Sequence, residues 1–213
     1  MTSSTEVSPL TLHRLSIYLR CLRSLSESGV DRVSSQELAD RFQLSAAQIR
    51  KDLAHFGELG IRGVGYDVEQ LTQRLRNILG LEQHRPTIVV GVGNLGSALV
   101  RFLAMGESAF RVVAAVDNDP TRIGQEVGGV VVENSADLKK IVARSGAEIG
   151  VLTVPASAAQ SNYDSLVEAG INAVLNFVPI RLERNEAVLT RSVDLRIFFE
   201  ELGFLLGNRR TSQ

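Results

Sequence analysis

Thr87-Ile88-Val89-Val90-Gly91-Val92-Gly93-Asn94-Leu95-Gly96-Ser97-Ala98-Leu99 is the stretch on which the fold turns. A short apolar run rich in β-branched residues reads as a buried parallel strand. It meets a G-x-G-x-x-G turn at Gly91, Gly93 and Gly96, and an apolar helical pattern follows through Leu99, Val100 and Leu103. In a dinucleotide fold the first glycine makes the tight turn, the second lets backbone approach a pyrophosphate, and the third lets helix pack on strand. The helix start, with Asn94 and Leu95, then offers N–H groups and a partial positive charge to phosphates.

Such a motif is weak alone, and a glycine turn without ligand is the bland alternative. Its context strengthens it. A second apolar strand, Val112–Val116, ends at Asp117 and Asn118, about twenty residues past the last glycine, where this fold places the carboxylate that binds ribose hydroxyls. A carboxylate there repels a 2′-phosphate, so NAD(H) is expected over NADP(H).

Working outward, strands are expected at Gly129–Val132, Ile149–Val154 and Ala173–Asn176, with helices over 135–145 and 156–169. This alternation predicts a Rossmann-type doubly wound parallel sheet within an α/β protein. Ligand-facing residues sit at strand C-termini, which selects Thr153, Val154, Pro155, Asn176, Phe177 and Pro179.

The N-terminal part has a different grammar. Leu15, Tyr18, Leu19, Leu22 and Leu25 form a helical stripe, and Gly29 ends that helix. Ser34-Ser-Gln-Glu37 and Ser45-Ala46-Ala47-Gln48 read as two capping boxes opening two short helices. Gly57, Gly60, Gly63 and Gly65 around alternating apolar residues suggest a β-hairpin holding Arg62 at its tip. A helix over 68–80 follows. Together these predict a winged helix. Gln48, Arg50, Lys51 and Arg62 are then either a DNA-reading face or a solvated polar face. Bulk charge does not decide, since residues 1–80 hold ten Lys/Arg against nine Asp/Glu.

The expected division is 1–84 for the winged helix, 85–190 for the dinucleotide domain, and 191–213 for a terminal helix and tail. That helix, over about 192–206, carries Val193, Leu195, Ile197, Phe198, Phe199, Leu202, Phe204, Leu205 and Leu206 around most of its circumference. A helix apolar on every side needs cover that one sheet edge cannot supply, so burial between subunits is expected.

The net charge of −1 and 44% hydrophobic content suit an ordinary soluble protein. No apolar run suggests a membrane span, and Met1–Pro9 lacks the pattern of a secretion signal. The single cysteine, Cys21, fits a reducing cytoplasm, either as a redox switch or as a half-buried helix residue.

The run from Gln48 to Asp67, QIRKDLAHFGELGIRGVGYD, followed by the glycine-motif domain, resembles the Rex family of redox-sensing transcriptional repressors. The likeness extends from about Leu12 to Leu206. It implies a bacterial homodimer with a domain-swapped terminal helix, NADH and NAD+ as effector ligands, and release of operator DNA by NADH. It implies DNA contact by Ser45, Ala46, Gln48, Arg50, Lys51, Arg62 and Gly63, and a nicotinamide side lined by the Thr-Val-Pro and Asn-Phe-Val-Pro segments. The family's switch pairs an aspartate in the first turn of the terminal helix, here Asp194, with an arginine, here Arg20. Two positions depart from the family. Leu195 stands where an aromatic residue lies near the nicotinamide, and Phe102 replaces a tyrosine whose hydroxyl could bond Asp194.

The rival reading is an NAD-dependent dehydrogenase, which needs a positioned acid or base. All three histidines precede Pro86, and the later candidates thin to Lys139, Lys140 and Tyr163. Tyr163 is followed four residues later by Val167, so the tyrosine–lysine pairing of short-chain dehydrogenases is absent. No enzyme activity is therefore expected.

Overall fold

The first helix shows how local chemistry sets the elements. Ser8 caps α1 (Pro9–Glu27), accepting from the Thr11 N–H at 3.1 Å, and Pro9 enters without needing a donor. The structure is a computed structural model that describes residues 7–61, 63–105 and 108–211, without the side chains of 209–211. It divides into two units, between Gln83 and His84.

In the first unit, α1 is followed by β1 (Arg32–Val33), α2 (Ser35–Phe42), α3 (Ala46–Ala54), β2 (Tyr66–Asp67) and α4 (Val68–Ile78). The stripe of Leu15, Tyr18, Leu22 and Leu25 meets Leu38, Ile49, Leu53, Leu71 and Leu75 in one buried core. The capping box at α2 is complete: Ser34 Oγ accepts from Glu37 N, and Glu37 accepts from Ser34 N. The expected second box is only half formed. Ser45 Oγ accepts from Gln48 N at 3.3 Å, but the Gln48 amide turns to Asp52 instead of back to the cap.

The expected hairpin is also different. β2 pairs antiparallel with β1, Arg32 opposite Asp67 and Val33 opposite Tyr66, and not with the segment before it. Among the described residues between 57 and 65, an isolated Ile61–Gly65 bridge closes the turn. Gly65, at φ +93°, comes so close to the Val33 carbonyl that a Cβ there would stand 2.6 Å from its oxygen. Gly65 thus serves close approach to β1, Gly60 packs under the Tyr66 ring, and no strand ladder is seen through the described residues of this segment.

In the second unit, β3 (Arg85–Val90), α5 (Asn94–Ala104), β4 (Phe110–Asp117), β5 (Glu126–Val127), β6 (Val130–Asn134), α6 (Leu138–Ser145), β7 (Ile149–Leu152), α7 (Ala156–Glu168), β8 (Ala173–Asn176), β9 (Leu189–Ser192) and α8 (Leu195–Thr211) follow. The sheet order is β5-β6-β4-β3-β7-β8-β9, with all pairs parallel except β5–β6. Leaving aside β5, this is the 3-2-1-4-5-6 order of the Rossmann fold, which reverses between β3 and β7. Ile88 and Val90 pack toward α6 and α7, whereas Val89 packs toward α5. β9 was not foreseen; its side chains are largely exposed, so no apolar signal marks it.

α8 begins at Leu195, later than expected, and Asp194 precedes it. All of its described side chains are exposed, with Leu195, Ile197, Phe198, Phe199, Leu202, Phe204, Leu205 and Leu206 at 52–73%.

Candidate nucleotide cavity and recognition helix

A cavity of about 570 Å³ opens at the C-terminal ends of β3, β4 and β7, beside the point where strand order reverses. The glycine turn forms one wall. Gly91 sits at φ +90°, and a Cβ there would press on the Thr153 backbone. Gly96 packs against the Gly91 carbonyl so tightly that any Cβ would overlap it. Gly93 is different: near its missing Cβ lies only Arg122 Nη1, at 3.8 Å, leaving room for a ligand to approach the backbone. The Thr153 hydroxyl donates to the Gly91 carbonyl at 2.6 Å and ties β7 to the turn. No side chain caps α5, so its N-terminus faces the turn with backbone donors alone.

Asp117 is 5% exposed. Its Oδ2 accepts from Val92 N at 2.7 Å and Arg122 Nη1 at 3.1 Å, and its Oδ1 accepts from Asp119 N at 2.9 Å. Burial pushes its carboxyl pKa up, but the backbone N–H groups of Asp119 and Val92, with Arg122, outweigh that and hold it below the usual carboxylate range. With four acceptor sites and three donors, one acceptor position on Oδ1 remains for a ligand hydroxyl.

Of the residues singled out from sequence, Gly91, Gly93, Asp117, Asn118, Thr153, Val154 and Pro155 line the cavity. Val92 and Gly96 shape it from behind, and Asn94 and Leu95 begin α5. Asn176, Phe177, Pro179 and Leu195 lie outside its lining. The Asn176 amide is fully buried, donating to Val178 O and Ser192 Oγ and accepting from Val178 N, so it braces the turn after β8. Phe177 joins the apolar cluster on the α5 face.

Sequence reasoning missed the polar lining residues Arg122, Asp119, Ser135, Ser157 and Asn162. Arg122 is the lining's only cation among the described residues, and it also faces Asp119 at 3.6 Å. A signal existed. Asp117 and Asp119 each accept an N–H from two residues on, and these Asx turns fold Arg122 back onto Asp117.

In the first unit, α3 presents Lys51 to solvent, while Arg50 Nη1 donates to Ser35 Oγ at 2.8 Å. Ser45 caps the helix, Ala46 begins it, and Gly63 sits in the turn at φ +81°. Arg62 lies outside the described residues. Gln48 is half-buried, its Nε2 donating to Asp52 Oδ1 at 2.8 Å, so it is less free than a solvated face would leave it.

A Rossmann unit with a cavity at its strand-order reversal, in one chain with a winged helix, fits the class of nucleotide-responsive DNA-binding regulators. Residues 6–54 match the family described as putative DNA-binding protein N-terminus, and residues 82–180 match the CoA binding domain family. The redox-sensing transcriptional repressor Rex of Chloroflexus aggregans is 40% identical over 210 residues, covering 99% of each chain. Rex 1 of Thermotoga maritima is 42% identical over 199 residues, covering 93% of this chain and 95% of its own. Among solved structures, RSP in complex with beta-NAD+ and operator DNA superposes with a TM-score of 0.90 at 36% identity, covering 98% of this chain and 96% of its own. RSP with beta-NADH gives 0.88 at 35% identity, covering 98% of each. The chain belongs to the Rex family of redox-sensing transcriptional repressors.

Proposed function

We propose that the chain is a homodimeric repressor that holds operator DNA through α3 and is released when NADH occupies the cavity. The observation that carries this reading is the cavity itself, with its glycine turn and buried carboxylate at the switch point, in a chain whose other unit is a winged helix. The solved complexes of RSP with NAD+, NADH and operator DNA support it. Exposed α8 supports the dimer: eight large apolar side chains in water imply a partner, and burying them contributes on the order of 10 kcal/mol.

NADH and NAD+ share adenosine and pyrophosphate, so the glycine turn and Asp117 supply common affinity. Discrimination falls on the ring, which is charged only in NAD+; an apolar surround penalises that charge. In this reading the ring lies beside Val154, and closure by the second subunit would bring up Leu195. A full switch between 1:99 and 99:1 needs about 5.5 kcal/mol of differential binding.

In the switch, Asp194 is already engaged. Its carboxylate pairs with Arg196 at 3.0 Å and accepts from Arg196 N. A pairing with Arg20 therefore competes with this local one, and exposed Phe102 offers no hydroxyl in exchange.

The dehydrogenase candidates have structural occupations. Tyr163 is 1% exposed, its hydroxyl near Thr190 and accepting from Asn185 N. Lys139 pairs with Glu168, and Lys140 with Asp137. No catalytic step is assigned to them. No helix among the described residues is long and apolar enough to cross a membrane. A repressor acts where the DNA is, so this reading carries a cytoplasmic location with it.

The test is a gel shift on an operator, titrated with NADH and NAD+. Release by NADH at concentrations where NAD+ leaves the complex intact is expected; release by neither overturns the reading. On the same complex, Lys51→Ala is expected to weaken binding across all sequences and lower the salt slope by about 1. Arg50→Ala acts similarly if its guanidinium leaves Ser35 for a phosphate.

Arg122→Met is expected to weaken NADH and NAD+ binding equally, by about tenfold, because the cation serves the shared part of the ligand. Isothermal titration of both dinucleotides reads this out; a loss confined to one would place Arg122 at the ring instead.

A further inference from the structure

The buried face of α3 carries a carboxylate. Asp52 is 3% exposed, in the core of the first unit. Burying an ionised carboxylate costs several kcal/mol unless every lone pair is met. Here each is met. Oδ2 accepts from Arg14 Nε at 2.5 Å and from the Tyr18 hydroxyl at 2.9 Å. Oδ1 accepts from Arg14 Nη2 at 2.7 Å and from Gln48 Nε2 at 2.8 Å. The Arg14 fork holds the carboxyl below its usual range, against the opposing effect of burial.

Stability alone does not account for such a site, because an apolar pair of similar volume packs as well or better. What the network adds is direction. A bidentate guanidinium–carboxylate pair fixes the rotation of α3 against α1, which a leucine contact leaves loose. Its fourth donor is Gln48, one turn earlier on the helix that carries Arg50 and Lys51. A carboxylate only accepts, so the amide nitrogen of Gln48 must face it. One N–H and Oε1 then remain, the donor–acceptor set with which glutamine reads a base edge.

We infer that Arg14, Asp52 and Tyr18 are positioning residues for operator recognition, setting the rotation of α3 and holding the Gln48 amide in one orientation for a base edge. This rests on the reading that α3 faces DNA.

The test is a cycle on the full-length protein. Gln48→Ala is expected to weaken operator binding about tenfold in the native background. In the combined Arg14→Met and Asp52→Leu background, binding is already weakened, base preference is relaxed at one operator position, and Gln48→Ala adds less than about twofold. The midpoint of thermal unfolding should fall modestly, because the buried Tyr18 hydroxyl loses its acceptor, while the background stays folded and its NADH affinity matches the native protein. Equal loss from Gln48→Ala in both backgrounds overturns the inference, as does native operator affinity in a folded Arg14→Met and Asp52→Leu variant. If that variant fails to fold, Tyr18→Phe removes one donor and keeps the ion pair; its loss should be non-additive with Gln48→Ala, and additivity overturns the proposal. Lys51→Ala separates the two levels. Native DNA binding by that variant sinks the reading of α3 itself, whereas its loss with an additive Gln48 cycle sinks only the positioning role.

Discussion

Asp117→Ala is expected to weaken NADH and NAD+ binding together, by roughly 10- to 150-fold, the range of a hydrogen bond to a charged group. Two effects act in the same direction. The proposed ribose contact is removed, and the Val92 and Asp119 N–H groups lose their acceptor, so the glycine turn and the turn after β4 are no longer held against each other. Arg122 is left with Asp119 alone. Calorimetric titration of both dinucleotides is the measurement, with thermal unfolding to separate binding from folding. Unchanged affinity for both would remove Asp117 from the site. A loss for NADH alone would mean that Asp117 acts through the ring.

Glutamates at Phe199 and Leu202 together are expected to dissociate the dimer. Both side chains stand more than half exposed on α8 and need cover in the assembly. Burying an unpaired carboxylate costs several kcal/mol, and two exceed what the remaining apolar contacts return. The chain should sediment as a monomer, and operator binding should fall toward the non-specific level, about 10³-fold or more. Its unit fold should survive, because neither side chain contributes to a core cluster. A stable dimer carrying both changes would mean that α8 is not the interface.

The parts that were legible share one property: their signal lies within a few neighbouring residues. The glycine spacing before α5, the Ser34–Glu37 box and the stripe of α1 each follow from contacts one or two turns apart. β9 carries no such mark. Leu189 is 77% exposed, and the strand exists because Asn176 bonds Ser192 Oγ and β8 offers a free edge. Gln48 shows the same limit. As the fourth residue of a box motif it was expected to accept from the cap N–H through Oε1, but its Nε2 instead donates to a buried carboxylate one turn later.

Asn176 marks where strand-end reasoning overreaches. The rule that ligands gather at strand C-termini places it correctly in the fold, but not its side chain, which the following turn consumes. Arg122 is the converse case, brought into the cavity by two Asx turns that a local reading could have used.

From sequence alone came the alternating strands and helices of a doubly wound parallel sheet, the glycine turn with Asp117, and a terminal helix apolar around most of its circumference. Local spacing and backbone sterics suffice for those. Only the tertiary structure decided which distant donors reach the buried carboxylates Asp52 and Asp117. The partners of Asp52 on α1 lie 34 and 38 residues away, and Val92 lies 25 residues from Asp117. A buried charge takes whichever donors the packed core brings within 3 Å, and no spacing along the chain encodes that choice.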